Sequence, residues 1–191
     1  MSLKHATLIA LVENDATGYE IAKWFDEGLG YFWQASHQQI YLELSKMNKL
    51  GLVSFKEQEQ SGKPTKKIYK ISKAGKDELI SWLSQPTPRP VYKDAILMKV
   101  FAGHLISPTL LLKEIESQRA SFLQSRAELE QVEKTVFADG DDMPLEYQYM
   151  YLTLRNGLLQ TNAFLLWADE VIAFLKKQKM KGGQGIGDIV N

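Results

Sequence analysis

Cysteine is absent from this 191-residue chain. That excludes disulfide staples, thiolate zinc ligation and a cysteine nucleophile, and it fits a reducing compartment such as the cytoplasm. Histidine stands only at 5, 37 and 104, with no pair four residues apart, and no G-x-S-x-G, Walker or dinucleotide signature is present. The acidic cluster Asp139, Asp141 and Asp142 lacks the glycine and glutamate spacing of a calcium loop and reads as a solvated connection. We therefore expect no enzyme, no metal and no cofactor. The N-terminal apolar run stops at Glu13 after about six residues, too short for a signal peptide or a membrane span. Net charge is missing as well, since 23 Lys+Arg meet 23 Asp+Glu. Arginine does not occur before position 89, which removes bidentate arginine–guanine pairing from the first 84 residues. What remains is 45% apolar, the composition of a globular chain long enough for one domain or two small ones.

The neutrality is a cancellation. Residues 1–45 set Lys4 and Lys23 against Glu13, Asp15, Glu20, Asp26, Glu27 and Glu43. Residues 46–76 set lysines 46, 49, 56, 63, 66, 67, 70, 73 and 76 against only Glu57 and Glu59. Within a Debye length of about 8–10 Å, that middle stretch presents a basic field whatever the total. The sharpest break is Gln85-Pro86-Thr87-Pro88-Arg89-Pro90, where alternate prolines prevent a helix and favour an extended connector. This predicts a first domain over 1–84, a linker over 85–90, a helical domain over 91–180 and a frayed glycine-rich tail over 181–191. The glycines of that tail lack the strand and helix that a phosphate-binding turn requires.

The first part reads as three helices, a hairpin and a fourth helix. Leu3 to Val12 forms the first. Thr17-Gly18-Tyr19-Glu20 has capping-box spacing and starts the second, with Ile21, Trp24 and Phe25 on its apolar face. Trp24, Phe25, Phe32 and Trp33 could stack on single strands, but core packing accounts for them better. Ser36-His37-Gln38-Gln39 starts the third helix, which turns Ile40, Leu44 and Met47 inward and ends at Gly51. Leu52–Phe55 and Lys67–Ile71 alternate like strands around the polar loop Ser61-Gly62-Lys63-Pro64, and Ser72 caps a fourth helix. The expected fold is mainly α with a small β-hairpin: an N-terminal winged helix-turn-helix plus a C-terminal helical dimerisation domain.

In that layout the third helix reads DNA. His37, Gln38, Tyr41, Leu42, Ser45 and Lys49 lie on its outer or leading positions, where Gln38 can pair with adenine and Tyr41 can reach a phosphate. Tyr19, Ser36 and Gln39 flank them, Gln39 being claimed by its own cap. Lys63, Lys66 and Lys67 of the wing suit phosphates, which set position without specifying sequence. The plain alternative is a solvated lysine face beside ordinary helix caps.

In the second part, Ile115, Phe122, Leu129 and Val136 recur every seven residues along a helix from Pro108 to Val136, interrupted by Arg119 and Arg126. The last helix, about Leu145 to Lys177, is apolar over a wider arc than one neighbour can cover. It is expected to dimerise through Tyr151, Leu154, Leu158, Leu165, Trp167 and Ile172. Two-fold symmetry would set two reading helices on successive turns of DNA.

GYEIAKWF (18–25), FWQASHQQIYLELSKMNKLGLV (32–53) and GKPTKKIYKISKAGKDELISWL (62–83) resemble the PadR family of bacterial transcription regulators. YLTLRNGLLQTNAFLLWADEVIAFL (151–175) is similar to the virulence-activator α C-terminal domain of its longer members. Gln38 stands where glycine is common and Leu42 where proline is common. The run ASHQQIY, with DATGY and WADEV, is like the branch of virulence and quorum-sensing regulators. The resemblance implies a homodimer clasped by C-terminal helices, with double-stranded DNA at inverted repeats as its partner and no membrane. Two alternatives stay open: an effector-responsive repressor taking a small aromatic ligand at Tyr147, Tyr151, Phe164 and Trp167, and an adaptor that has kept the fold without binding DNA.

Overall fold

A computed structural model describes residues 3–27, 35–60, 63–89, 93–138 and 142–184. The chain divides into two compact units, Met1–Pro90 and Val91–Asn191.

In the first unit, α1 (Leu3–Ala10), α2 (Gly18–Glu27), α3 (His37–Lys49) and α4 (Lys73–Leu83) surround one core beside a small sheet. Each helix supplies a stripe: Leu8 from α1, Ile21 and Phe25 from α2, Ile40, Leu44 and Met47 from α3, and Leu79 from α4, all buried. Leu11, just past α1, and Val53 and Ile71 of the sheet close that core. Phe25 is buried and Trp24 packs against the core edge, as expected of core aromatics, while Phe32 and Trp33 lie outside the described residues.

The sheet departs from the expected hairpin. A two-residue strand, β1 (Ala16–Thr17), joins β2 (Val53–Gln60) and β3 (Lys63–Ile71) in the order β1-β3-β2. Ala16 faces Tyr69 and Thr17 faces Ile68, so the chain entering α2 is locked to the wing strand. The wing strands also run further than expected, with a register irregularity between Gln58 and Gln60. Their outer halves are polar on both faces because no core lies beneath them, so the apolar alternation that marks a strand is missing there.

Local chemistry sets the boundaries. The Thr17 backbone N–H and hydroxyl both donate to Glu20 Oε2 at 2.7 Å, and the Glu20 N–H donates back to Thr17 Oγ1 at 3.2 Å. These bonds to Thr17, with help from Lys66, hold the Glu20 carboxyl below its ordinary range. Gly51 ends α3 with φ +70°, a value that favours glycine. The Ser72 hydroxyl bridges this turn to α4, donating to the Gly51 carbonyl at 2.7 Å and accepting from the Gly75 N–H at 3.0 Å. His5 fastens α1 to α4: its ring stacks on Trp82 at 4.5 Å, and its Nε2 lies 3.3 Å from Glu78, which Lys4 also pairs.

The second unit contains α5 (Ala95–Phe101), a short 3₁₀ turn (Gly103–Leu105), α6 (Pro108–Val136) and α7 (Leu145–Gln184). Ser107 caps α6 and Pro108 occupies its first turn, where a missing N–H costs nothing. α7 continues past the expected end near Lys177 to Gln184. The two long helices run antiparallel. Glu116 pairs Lys176, Arg119 pairs Asp169, Phe122 stacks on Phe164 at 3.8 Å, and Glu133 meets Arg155 and the Tyr151 hydroxyl. Arg119 and Arg126 sit at the helix surface in ion pairs with Asp169 and Glu130. Two apolar clusters fill the seam: Ile96, Leu111, Leu112, Ile115, Ala168 and Leu175 in one, and Leu129, Leu154 and Leu158 in the other.

By length and composition alone, Leu145–Met180 could cross a membrane. Arg155, Asp169 and Glu170 lie within that span, and its α6-facing residues are core. Charges of that number are expensive in hydrocarbon.

Candidate nucleic-acid interface

The third helix is fixed at its start by reciprocal bonds. The Ser36 N–H donates to Gln39 Oε1 at 2.9 Å, and the Gln39 N–H donates to Ser36 Oγ at 3.3 Å. Ser36 and Gln39 therefore spend side-chain oxygens on the cap, which orients the helix, while both residues stay exposed. With Ile40, Leu44 and Met47 buried, the exposed face carries His37, Gln38, Tyr41, Leu42, Ser45 and Lys49. Tyr19, at the start of α2, is 61% exposed and meets the His37 ring edge-on at 6.4 Å. Tyr41 comes from α3 towards both α2 and β3; burial, and after it the nearby Tyr41, raises the Tyr69 phenol above its usual value. Tyr19, His37 and Tyr41 thus form one exposed polar-aromatic ridge, with Gln38 beside them on the first turn of α3.

The wing lysines are placed less simply. Lys67 faces Glu57 across the strands, its Nζ 3.7 Å from the carboxylate and 4.3 Å from the centre of the Phe55 ring. Lys66 acts on the Glu20 carboxylate, Lys70 pairs Asp15 at 3.7 Å, and Lys46 pairs Glu43 at 3.6 Å. Lys63 opens β3 opposite Gln60, and its side chain lies outside what is described. The excess of lysine read from the sequence is thus partly answered by carboxylates in place, in pairs exposed enough for a phosphate to displace. A shallow hollow beside this face, lined by Leu3, Gln39, Leu42, Glu43, Ser45, Lys46 and Lys49, mixes both signs of charge.

In the second unit, the residues expected to dimerise are largely taken up inside the chain. Leu154 and Leu158 pack on Leu129 with Tyr151 beside them, Leu165 is buried, and Trp167 and Ile172 pack against the cluster around Ile115. Among the apolar side chains left uncovered on α7, Leu145, Leu152, Leu159 and Leu166 form a stripe, each more than half exposed, with Tyr149, Phe174 and Met180 also open. Their seven-residue spacing was available in the sequence, but the wide apolar arc of α7 hid which stripe α6 would cover. The aromatic effector set is divided: Tyr151 belongs to one seam cluster, Phe164 and Trp167 to the other, and Tyr147 is exposed. Among the described residues no three His, Asp or Glu are grouped to hold a metal ion. Asp139 and Asp141 lie outside that set.

A capped outward helix between a supporting helix and a two-stranded wing, followed by a separate helical unit, is the architecture of a winged helix-turn-helix transcription regulator. Residues 7–81 match the transcriptional regulator PadR-like family, and residues 92–176 match the virulence activator alpha C-terminal family. A probable transcriptional regulator of Mycobacterium tuberculosis is 33% identical, the alignment covering 94% of this chain and all of the relative. The negative transcriptional regulator PadR of Bacillus subtilis is 30% identical over 92% of this chain and 98% of its own length. Its structure in complex with operator DNA superposes with a TM-score of 0.81, covering 91% of this chain and 98% of that one at 29% identity. The virulence activator AphA of Vibrio cholerae superposes at 0.78, with 34% identity over 93% of this chain and 99% of that one. The chain belongs to the PadR-like family of transcriptional regulators, which is not a family of enzymes.

Proposed function

We propose that this chain is a sequence-specific DNA-binding regulator of the cytoplasm, acting as a homodimer on inverted-repeat promoter sites. The observation that carries the reading is the ridge of His37, Gln38 and Tyr41, outward on a helix whose other face is core, with Tyr19 of α2 beside it. The Bacillus subtilis relative held on operator DNA supports the same assignment. His37, Gln38 and Tyr41 enter the major groove, Tyr41 with its phenol towards a backbone phosphate, while Lys49, Lys63, Lys66 and Lys67 neutralise further phosphates. Without arginine in residues 1–84, base readout leans on adenine, thymine and groove shape. A second copy, not a bilayer, covers the Leu145, Leu152, Leu159 and Leu166 stripe of α7.

Selection of genomic fragments by the full chain tests this at once, because it settles binding and recovers the operator. Affinity for that duplex should fall at least tenfold between 50 and 200 mM salt, through counterion release. Retention of no fragment would sink the reading and favour an adaptor.

A second reading has one observation behind it: the Bacillus subtilis PadR has also been solved with p-coumaric acid. Here an aromatic acid would enter the α6–α7 seam near Phe122, Phe164 and Trp167. Quenching of tryptophan fluorescence by phenolic acids, with release of DNA, is the expected result. Unchanged fluorescence and unchanged DNA binding would remove it.

A further inference from the structure

Gly18 opens α2, and the ring of Tyr41 from α3 lies directly on it. A methyl group added at Gly18 would overlap Tyr41 Cε1, with Cδ1 at 2.9 Å and Cζ at 3.0 Å. The backbone of Gly18 does not require glycine, since Gly51 has the only positive φ among the described residues. Backbone preference would if anything favour alanine in a helix. What Gly18 provides is therefore room for one ring. That ring belongs to an outward residue, 47% exposed, on the face assigned to DNA. Gly75 makes the contrast. A methyl there would strike the backbone carbonyl oxygen of Leu52, which cannot give way without disturbing the turn into β2.

We infer that Gly18 is a positioning residue for DNA recognition: it seats the Tyr41 ring between α2 and α3, so that the phenol is aimed at the DNA backbone. The neighbours of Tyr41 point the same way. The Thr17–Glu20 cap fixes the start of α2, the pairing of Ala16 with Tyr69 fixes the strand alongside, and Tyr69 itself packs against Phe55. With α2, β1 and β3 all tied down, the side chain of Tyr41 is the part free to move when Gly18 gains bulk. The displacement is cheap for the fold because only a ring end shifts, and costly for recognition because a contact made by a ring end tolerates little misplacement.

This rests on the DNA-binding reading above, and the experiment separates the two. Gly18→Ala, Tyr41→Ala and the double variant are made in the full chain and titrated with the duplex recovered by genomic selection. Thermal melts are run in parallel. Gly18→Ala should melt within a few degrees of the unaltered chain while losing on the order of tenfold in affinity, the worth of one hydrogen bond to a charged group. In the Tyr41→Ala background the same substitution should change affinity less than twofold, since no ring remains to displace. Gly18→Ser, which adds similar bulk, should behave like Gly18→Ala. Unchanged binding by Gly18→Ala, or an equal loss with and without Tyr41, would overturn the inference. So would a collapse of the melt in both Gly18 variants, which would make the glycine a folding requirement. If the unaltered chain retains no duplex at all, the DNA-binding reading itself has failed, and the positioning role goes with it.

Discussion

The two units solve the problem of covering apolar surface differently. In the first, every helix and the inner ends of β2 and β3 feed one core, from Leu8 through Phe25, Leu44 and Val53 to Leu79. The surface proposed to face DNA keeps amphipathic Tyr19 and Tyr41, groups that tolerate water, beside the exposed Leu42. In the second, α6 and α7 bury only the seam between them. They leave Leu145, Leu152, Leu159 and Leu166 exposed on α7, while Leu97, Met98, Phe101 and Leu105 stand open around α5. The seven-residue repeat of that exposed α7 stripe is what the proposed second copy would cover. On the proposed reading, the difference separates a reading surface built within the first unit from an assembly surface in the second that awaits another copy.

The largest effect should come from opening the self-sufficient core. Leu44→Ala removes a fully buried side chain at the centre of α3 and should cost about 2–5 kcal/mol, read by denaturant unfolding of the full chain. On the other side of the comparison, Leu159→Glu with Leu166→Glu should leave helical content unchanged and weaken self-association by about 2 kcal/mol or more, read by sedimentation. If both residues can carry charge with association intact, the uncovered stripe is not the interface. Thr17→Ala should cost about 1 kcal/mol through loss of the α2 cap, seen in the melt of the first unit.

Smaller effects sharpen the electrostatic account. Glu57→Gln frees Lys67 from its cross-strand partner and should raise affinity for random duplex about twofold at low salt. The acid limb should be shallow. Bonds from Thr17 to Glu20, from Lys4 and His5 to Glu78, and from Arg119 to Asp169 all hold these carboxyls below their ordinary values of 4.5 and 3.8. Their contribution is complete above those values and is lost as pH falls through the lower folded ones. Melting temperature should therefore show no loss from these groups between pH 7 and 5, and should fall only below about 4.5. A decline beginning near pH 6 would assign the limb to other groups.

Much of this was legible in local spacing. Thr17–Glu20 and Ser36–Gln39 declare helix starts because a capping box needs only residues three apart. Gly51, Ser72 and Pro108 punctuate for equally local reasons. What stayed hidden depends on distant partners. β1 is two residues long and exists only because Tyr69 and Ile68 are beside it. The wing strands lack alternation because they have no core. The choice between Leu154 and Leu152 as the inner face of α7 is made by α6, not by α7. The seating of Tyr41 on Gly18 leaves no trace in either local sequence.

The most direct measurement is the stoichiometry and affinity of the full chain on its selected operator, compared with the Leu159→Glu/Leu166→Glu variant, by sedimentation with labelled duplex. The account predicts two chains per operator for the unaltered protein. It predicts a folded monomer for the variant that has lost operator binding while its first unit melts normally. A single unaltered chain bound per operator, or a monomeric variant binding with full affinity, would contradict it.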